Sequence, residues 1–357
     1  MSRRTATLVV SGLLFIALAC AAAFTSVPYG ELTPGPTVNT LGDYRGKPVI
    51  EVQGAQTYPT SGHLNMTTVS VTSKGYDMPL LAAFVGWVKD DADVVPKTDL
   101  YPDDKTEQQV EQENAEEFTS SQEHAKVAAF KELVKRYPEL GITYSEQVIV
   151  ATVAKDMPAT GKLHAGDIIT AVDGVPIKTP TDVGTAITKH QPGQNVQFTV
   201  DPADARGTQK TVDVTTAAAT DDGRAVVGIT PGVLPKFPFQ VTIHLEDVGG
   251  PSAGLMFALG IVDTLSPGDL TGGKFVAGTG TIDDEGTVGP IGGVQMKTIA
   301  AERAGAKYFL TPKGNCTEAM KTKPGGLTLV EVGTIDDAMD ALKVISTGQG
   351  TLNQCKP

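Results

Sequence analysis

Histidine is scarce in this sequence, and where it falls decides much. The 357 residues hold five, His63, His124, His164, His190 and His244, so any serine beyond position 244 lacks a downstream histidine. Positive charge is also short: 29 Lys and Arg face 41 Asp and Glu, a net charge of -12, which excludes nucleic acid as a natural partner. Collagen-like and heptad repeats are missing. The P-loop motif is incomplete as well. Gly268-Asp269-Leu270-Thr271-Gly272-Gly273-Lys274-Phe275 ends on Phe275, which cannot ligate Mg²⁺ as the required Ser or Thr would, so nucleotide binding is not expected. No cofactor and no metal site are expected.

The long apolar run at the start is what the chain does have. Arg3 and Arg4 precede an uncharged stretch in which Leu8 to Phe24 is strongly apolar. About 20 apolar residues cross a bilayer as a helix, and the arginines keep the N-terminus cytoplasmic. The body of the protein is then expected outside the cytosol. A signal peptide cleaved near Ala21-Ala22-Ala23 and a lipoprotein site at Cys20 stay open as alternatives. In an exported chain Cys316 and Cys355 form an even pair and are expected to bridge, the alternative being two unpaired thiols. The length suggests two or three domains, and 39 glycines with 23 prolines suggest many turns.

Two segments carry chemistry. Val248-Gly249-Gly250-Pro251-Ser252-Ala253-Gly254 runs into the apolar stretch Leu255 to Val262, and Gly289-Pro290-Ile291-Gly292-Gly293 leads into a helical pattern with Lys297. Gly250 to Gly254 fits the G-x-S-x-G nucleophile elbow, but that fold needs a histidine after the serine. His244, on an expected strand just upstream, leaves a histidine-first triad open. Lys297 is the better base. A serine hydroxyl needs a neighbour that takes its proton, and a lysine does so when burial lowers its pKa. Apolar neighbours Ile291, Val294, Met296 and Ile299 suit that. Pro251 fits the first position of a helix, and free N–H groups around Gly250 and Ser252 would bind an oxyanion. A capping serine in a glycine-lined turn is the plainer alternative.

Pro251-Ser252-Ala253-Gly254, then Ala277-Gly278-Thr279-Gly280, then Gly286 to Gly293 with Lys297, resemble the proteolytic domain of the Lon proteases. The resemblance implies Ser252 as nucleophile, Lys297 as general base and Thr279 as support for the lysine, with Gly250 beside them. The chain departs from the family in three ways. Gly249 stands where many Lon proteases have Asp, the nearest acids being Glu246 and Asp247. The acidic run Asp283-Asp284-Glu285 replaces a basic residue between the threonine and the lysine, and the ATPase module is missing.

From about Gly141 to Thr215 the pattern changes. Leu163-His164-Ala165-Gly166-Asp167-Ile168-Ile169 and Val172-Asp173-Gly174-Val175 resemble a PDZ domain of the bacterial protease type, with Asp173-Gly174 signalling a hairpin. PDZ domains take extended peptides by strand addition. Too few residues separate Thr215 from Ser252 for the elements that precede the serine in Lon-like domains. The helical segment at Ser120 to Ala125 resembles the missing helix, so the catalytic domain is expected to be interrupted.

The expected fold class is therefore α+β, a Lon-type proteolytic domain with an inserted β-rich PDZ domain and an N-terminal transmembrane helix. The expected layout is a cytoplasmic stub at 1–5, an anchor at 6–27, protease segments at 28–140 and 216–345 around a PDZ domain at 141–215, and a tail at 346–357. The resemblance implies a serine endopeptidase with a Ser-Lys dyad; with the apolar N-terminal run and no ATPase module, it is expected to act without ATP on extracytoplasmic proteins or peptides, and a homo-oligomer stays open. A catalytically silent PDZ scaffold that binds protein C-termini at the membrane remains the alternative.

Overall fold

The computed structural model describes residues 3–102, 104–203, 205–246, 248–322 and 325–356. The chain forms two compact units, one from Met1–Gly141 with Phe239–Pro357 and the other from Ile142–Pro238.

The first unit opens with helix α1 (Arg3–Phe24), whose large side chains are exposed along its length. At about 1.5 Å per residue its 22 residues reach about 33 Å, enough for a hydrocarbon core of about 30 Å. Strand β1 (Ser26–Val27) follows, then β2 (Tyr29–Asn39), β3 (Ile50–Gln53), β4 (His63–Val71) and β5 (Met78–Pro79). Next come helix α2 (Leu80–Val88), strand β6 (Asp93–Pro96) and the long helix α3 (Glu107–Arg136). The β2–β4 register slips between Pro34 and Thr37, where Pro34 and Pro36 have no N–H to donate. In α3 the large apolar residues Phe118, Val127, Phe130 and Leu133 are all buried. Its acidic N-terminal half faces solvent, and Thr106 starts it with a capping box to Gln109.

The second unit is a sheet of antiparallel pairs with one covering helix. Strands β7 (Ser145–Val153) and β8 (Ile168–Val172), helix α4 (Pro180–Ile187), and strands β9 (Asn195–Asp201), β10 (Lys210–Thr215) and β11 (Ile229–Lys236) give the order β10-β9-β8-β7-β11. Val148, Leu163, Ile169, Val172, Val183 and Phe198 belong to its core. The Asp173-Gly174 hairpin forms as expected, with φ of 50° and 75°, both left-handed as a tight primed turn requires. This unit runs past Thr215 to Pro238, because β11 pairs along β7 from Ile229↔Val153 to Lys236↔Ser145. Pro231 and Pro235 hide that strand from a pattern reading, since proline demotes an apolar run.

On returning to the first unit, β12 (Gln240–Ile243) pairs with β3. Helix α5 (Gly254–Leu265) is buried on all sides, as its unbroken apolar sequence demands. Strand β13 (Phe275–Gly278), helix α6 (Val294–Ala304), strands β14 (Tyr308–Pro312) and β15 (Thr328–Val332) and helix α7 (Ile335–Thr347) complete the unit. The mixed sheet has the order β15-β14-β13-β4-β2-β6, with β13, β14 and β15 parallel. Cys316 and Cys355 form a disulfide that ties the tail to this unit, and Cys20 is free.

One acid lies inside α5. Asp263 has no exposed surface, and burial pushes its carboxyl up to about 6. One oxygen accepts from the Leu270 amide at 3.0 Å, while Oδ2 has no partner among the described residues. A pKa above the unfolded value means that the folded state holds its proton more tightly. Its stabilising contribution is full below about 4 and is lost as pH rises through about 6. Asp263→Asn keeps an acceptor for Leu270 and does not titrate. Urea unfolding is expected to show the variant gaining on wild type between pH 4 and 7, by up to about 3 kcal/mol. Parallel stability curves across that range would contradict the buried proton.

Candidate active site

The serine turn is built by being clasped from β13. Beyond Gly278, the Gly280 amide donates to the Ser252 carbonyl at 2.8 Å, and the Thr279 hydroxyl donates to the same oxygen at 3.0 Å. The Leu255 amide returns a bond to the Gly280 carbonyl at 3.1 Å. Gly280 has φ of 153°, and a Cβ there would press on Val288 at 2.8 Å, so only glycine fits. With its carbonyl taken by these donors, Ser252 cannot accept a helical bond. Helix α5 therefore begins at Gly254, and Pro251 sits in the turn ahead of it rather than at the first helical position.

Helix α3 braces the same turn from the other side. The Gly250 amide donates to the Asn114 carbonyl at 2.8 Å, and the Ser121 hydroxyl donates to the Pro251 carbonyl at 2.9 Å. A Cβ on Gly249 would meet the Asn114 side chain at 2.9 Å, so the helix lies flush against the loop. The expected free amide at Gly250 is thus engaged. Among the described residues the Ser252 amide meets no acceptor.

Lys297 approaches from α6. Gly293, in the left-handed region at φ 67°, starts the helix, and Asn315 locks the preceding loop. The Ile291 amide donates to Asn315 Oδ1 and Asn315 Nδ2 donates to the Ile291 carbonyl, both at 2.8 Å. Lys297 is 3% exposed, and burial alone lowers its pKa to about 8. Its Nζ donates to Ser252 Oγ at 2.7 Å and to Thr279 Oγ1 at 3.2 Å. Because the Thr279 proton goes to the Ser252 carbonyl, its oxygen is free to accept from the lysine. Neutral, the lysine keeps one N–H for Thr279 and offers its lone pair to the serine proton. Ser252 and Lys297 open onto a cleft of about 430 Å³, lined also by Thr37, Asn39, Met66 and Thr68.

No histidine reaches Ser252. The His244 ring bonds to Glu51 at 2.7 Å, His124 to Asp284 at 2.6 Å and His190 to Asp173 at 2.7 Å. His63 stacks on Phe275, and His164 lies 3.9 Å from Asp167. The histidine-first triad is set aside. Of the acids near the turn, Glu246 lies 3.6 Å from Arg45, and Asp247 lies outside the described residues. In the acidic run, Asp283 accepts amides of its own turn, Asp284 meets His124, and Glu285 meets Lys131 on α3. The loop that mimics a P-loop turns its Thr271 and Gly272 amides onto its own Asp269, each at 3.1 Å.

Sequence reasoning found Ser252, Lys297 and Thr279, and the structure brings them together. It did not find Asn114 or Asn315. Asn114 acts through its backbone, which no residue type advertises, and Asn315 is one polar residue in a segment without a motif.

Residues 239–344 match the family model of the Lon protease (S16) C-terminal proteolytic domain, and residues 117–216 match the PDZ domain model. The chain combines a Lon-type proteolytic domain with a PDZ domain. The Lon match begins at the residue where the chain returns to the first unit. A Lon protease of Azospirillum brasilense is 40% identical over 31% of this chain and 14% of its own length. Lon protease 2 of Bacillus subtilis is 36% identical over 30% of this chain and 20% of its own. The chain thus matches about a fifth or less of these relatives' length. The PDZ domain of the SdrC-like protein of Listeria monocytogenes is 31% identical over 25% of this chain and 90% of its own, with a TM-score of 0.22.

Proposed function

We propose that this chain is a serine endopeptidase that works without ATP on proteins or peptides outside the cytosol. The observation that carries this reading is the 2.7 Å bond between Ser252 Oγ and a buried Lys297. In the proposed reaction Lys297 Nζ takes the serine proton as Oγ adds to the substrate carbonyl carbon. The ammonium then returns that proton to the departing amine, leaving an acyl-serine. Water, deprotonated by the same lysine, releases the acid and restores the serine. Thr279 keeps Nζ aimed at Ser252. The Ser252 amide serves as an oxyanion donor, and Gly250 joins it once its bond to Asn114 is given up.

Among the described residues one side of β2 near Thr37 to Asn39 has no strand partner; it borders the cleft and suits an extended peptide added as a strand. Residues 28–141 and 239–345 supply the catalytic domain in this reading, with the PDZ-bearing unit inserted between them to recruit substrate. Helix α1 anchors the chain in the membrane with its body outside, and the Cys316–Cys355 bridge suits such a compartment. The incomplete P-loop, whose amides turn onto its own Asp269, supports independence from ATP.

A fluorophosphonate probe tests the reading directly. Peptide mapping is expected to find the adduct on Ser252, with labelling abolished in Ser252→Ala. Equal labelling of that variant, or no labelling above pH 8, would favour the silent scaffold.

A further inference from the structure

Helix α2 (Leu80–Val88) has its faces reversed relative to a soluble surface helix. Its buried positions are Ala83 and Gly86, and Gly86 lies so close to Val94 that a Cβ would meet it at 2.5 Å. Its large residues point outward: Phe84 is 60% and Val88 71% exposed, with Leu80, Leu81, Val85 and Trp87 also exposed. None of the nine residues is charged. A contiguous exposed apolar face of this kind marks a site that something covers.

The connections of α2 say what covers it. The Leu80 amide donates to the Thr25 carbonyl at 2.8 Å, and β1 pairs with β5 directly ahead of α2. Helix α2 therefore starts beside the residue that follows α1, and the two helices touch. If α1 crosses the bilayer, Phe24 lies at its outer boundary, and α2 cannot avoid that level. At about 1.5 Å per residue α2 reaches about 13 Å, too short to span and suited to lying in the interface. We propose that α2 is a second membrane contact, laid flat in the outer leaflet with Leu81, Phe84, Val85, Trp87 and Val88 among the acyl chains. The proposal rests on reading α1 as an anchor. Lys89, Asp90 and Asp91 follow the helix and leave no excess of positive charge, so the contact depends on apolar area rather than on anionic lipid.

Trp87 is the single tryptophan of the chain, so tryptophan emission, excited where tyrosine does not absorb, reports on this helix alone. The test uses the full chain in phosphatidylcholine vesicles, with flotation to score insertion. Nitroxide lipids labelled near the headgroup, nitroxide lipids labelled near the chain terminus, and aqueous iodide serve as quenchers. Strong quenching by the shallow nitroxide is expected, weaker quenching by the deep one, and little by iodide. Phe84→Glu and Val88→Glu change exposed side chains; both are expected to float as wild type does while Trp87 loses lipid quenching and opens to iodide. A wild-type chain that floats with Trp87 open to iodide overturns the proposal and leaves the anchor standing. Shielding from all three quenchers overturns it in favour of a protein neighbour. Failure to float overturns the proposal and the anchor together.

Discussion

Lys297→Arg is expected to lower kcat/KM by at least about a thousandfold, as far as Ser252→Ala does within assay limits. Arginine keeps the positive charge and the reach toward Ser252, yet it stays protonated at any pH a protein survives. A lysine that only holds the serine in place would tolerate the change, whereas a base would not. The pH profile of wild type separates the two roles further. With its pKa lowered to about 8 by burial, Lys297 is mostly charged at pH 7 and mostly neutral at pH 9. Activity on a small peptide ester is therefore expected to climb roughly tenfold per pH unit below 8 and to level off above it. Thr279→Val removes the acceptor beside Ser252 that steadies Nζ, and its effect should fall on kcat rather than on KM. Substantial peptidase activity in Lys297→Arg would remove lysine from the base role, and a profile flat from pH 6 to 9 would do the same.

How much of this was legible beforehand follows from what each feature depends on. Ser252 and Lys297 could be read because the proposed chemistry requires particular side chains beside glycine turns, and those turns leave a visible spelling. The core of α5 could be read because burial on all sides imposes unbroken apolarity. The position of Pro251 could not be read. It is set by Thr279 and Gly280 capturing the Ser252 carbonyl, a contact between segments far apart in sequence. The engaged Gly250 amide is of the same kind, since Asn114 contributes a carbonyl that any residue would supply. Strand β11 was hidden by two prolines that an edge position tolerates. The outward face of α2 was equally hidden, since an apolar run reads the same whether its large residues face a core or a lipid.

Removing the disulfide is expected to cost the two-segment unit about 4 kcal/mol. Cys316 and Cys355 are 39 residues apart with Cα atoms 5.2 Å from each other, and the entropy of closing such a loop in the unfolded chain gives that figure. The native side of the balance is already in place without the bridge. The Glu331 amide donates to the Asn353 carbonyl at 2.8 Å and the Cys355 amide to the Leu329 carbonyl at 3.0 Å, so the tail adds to the β15 edge. The bridge then mainly restricts the unfolded ensemble rather than creating the tail's fold. Cys355→Ser should lower Tm by roughly 8–16 °C, at about 2–4 °C per kcal/mol for a unit of this size. Reductant should bring wild type down to the same value. A Tm within about 2 °C of wild type would mean that the tail's hydrogen bonds carry the unit alone. The same cysteines report on compartment. Disulfides persist in oxidising surroundings, so alkylation of freshly lysed cells without reductant is expected to leave both unmodified. Complete labelling of Cys316 and Cys355 would place this unit in the cytosol, and the proposed orientation of α1 would fall with it.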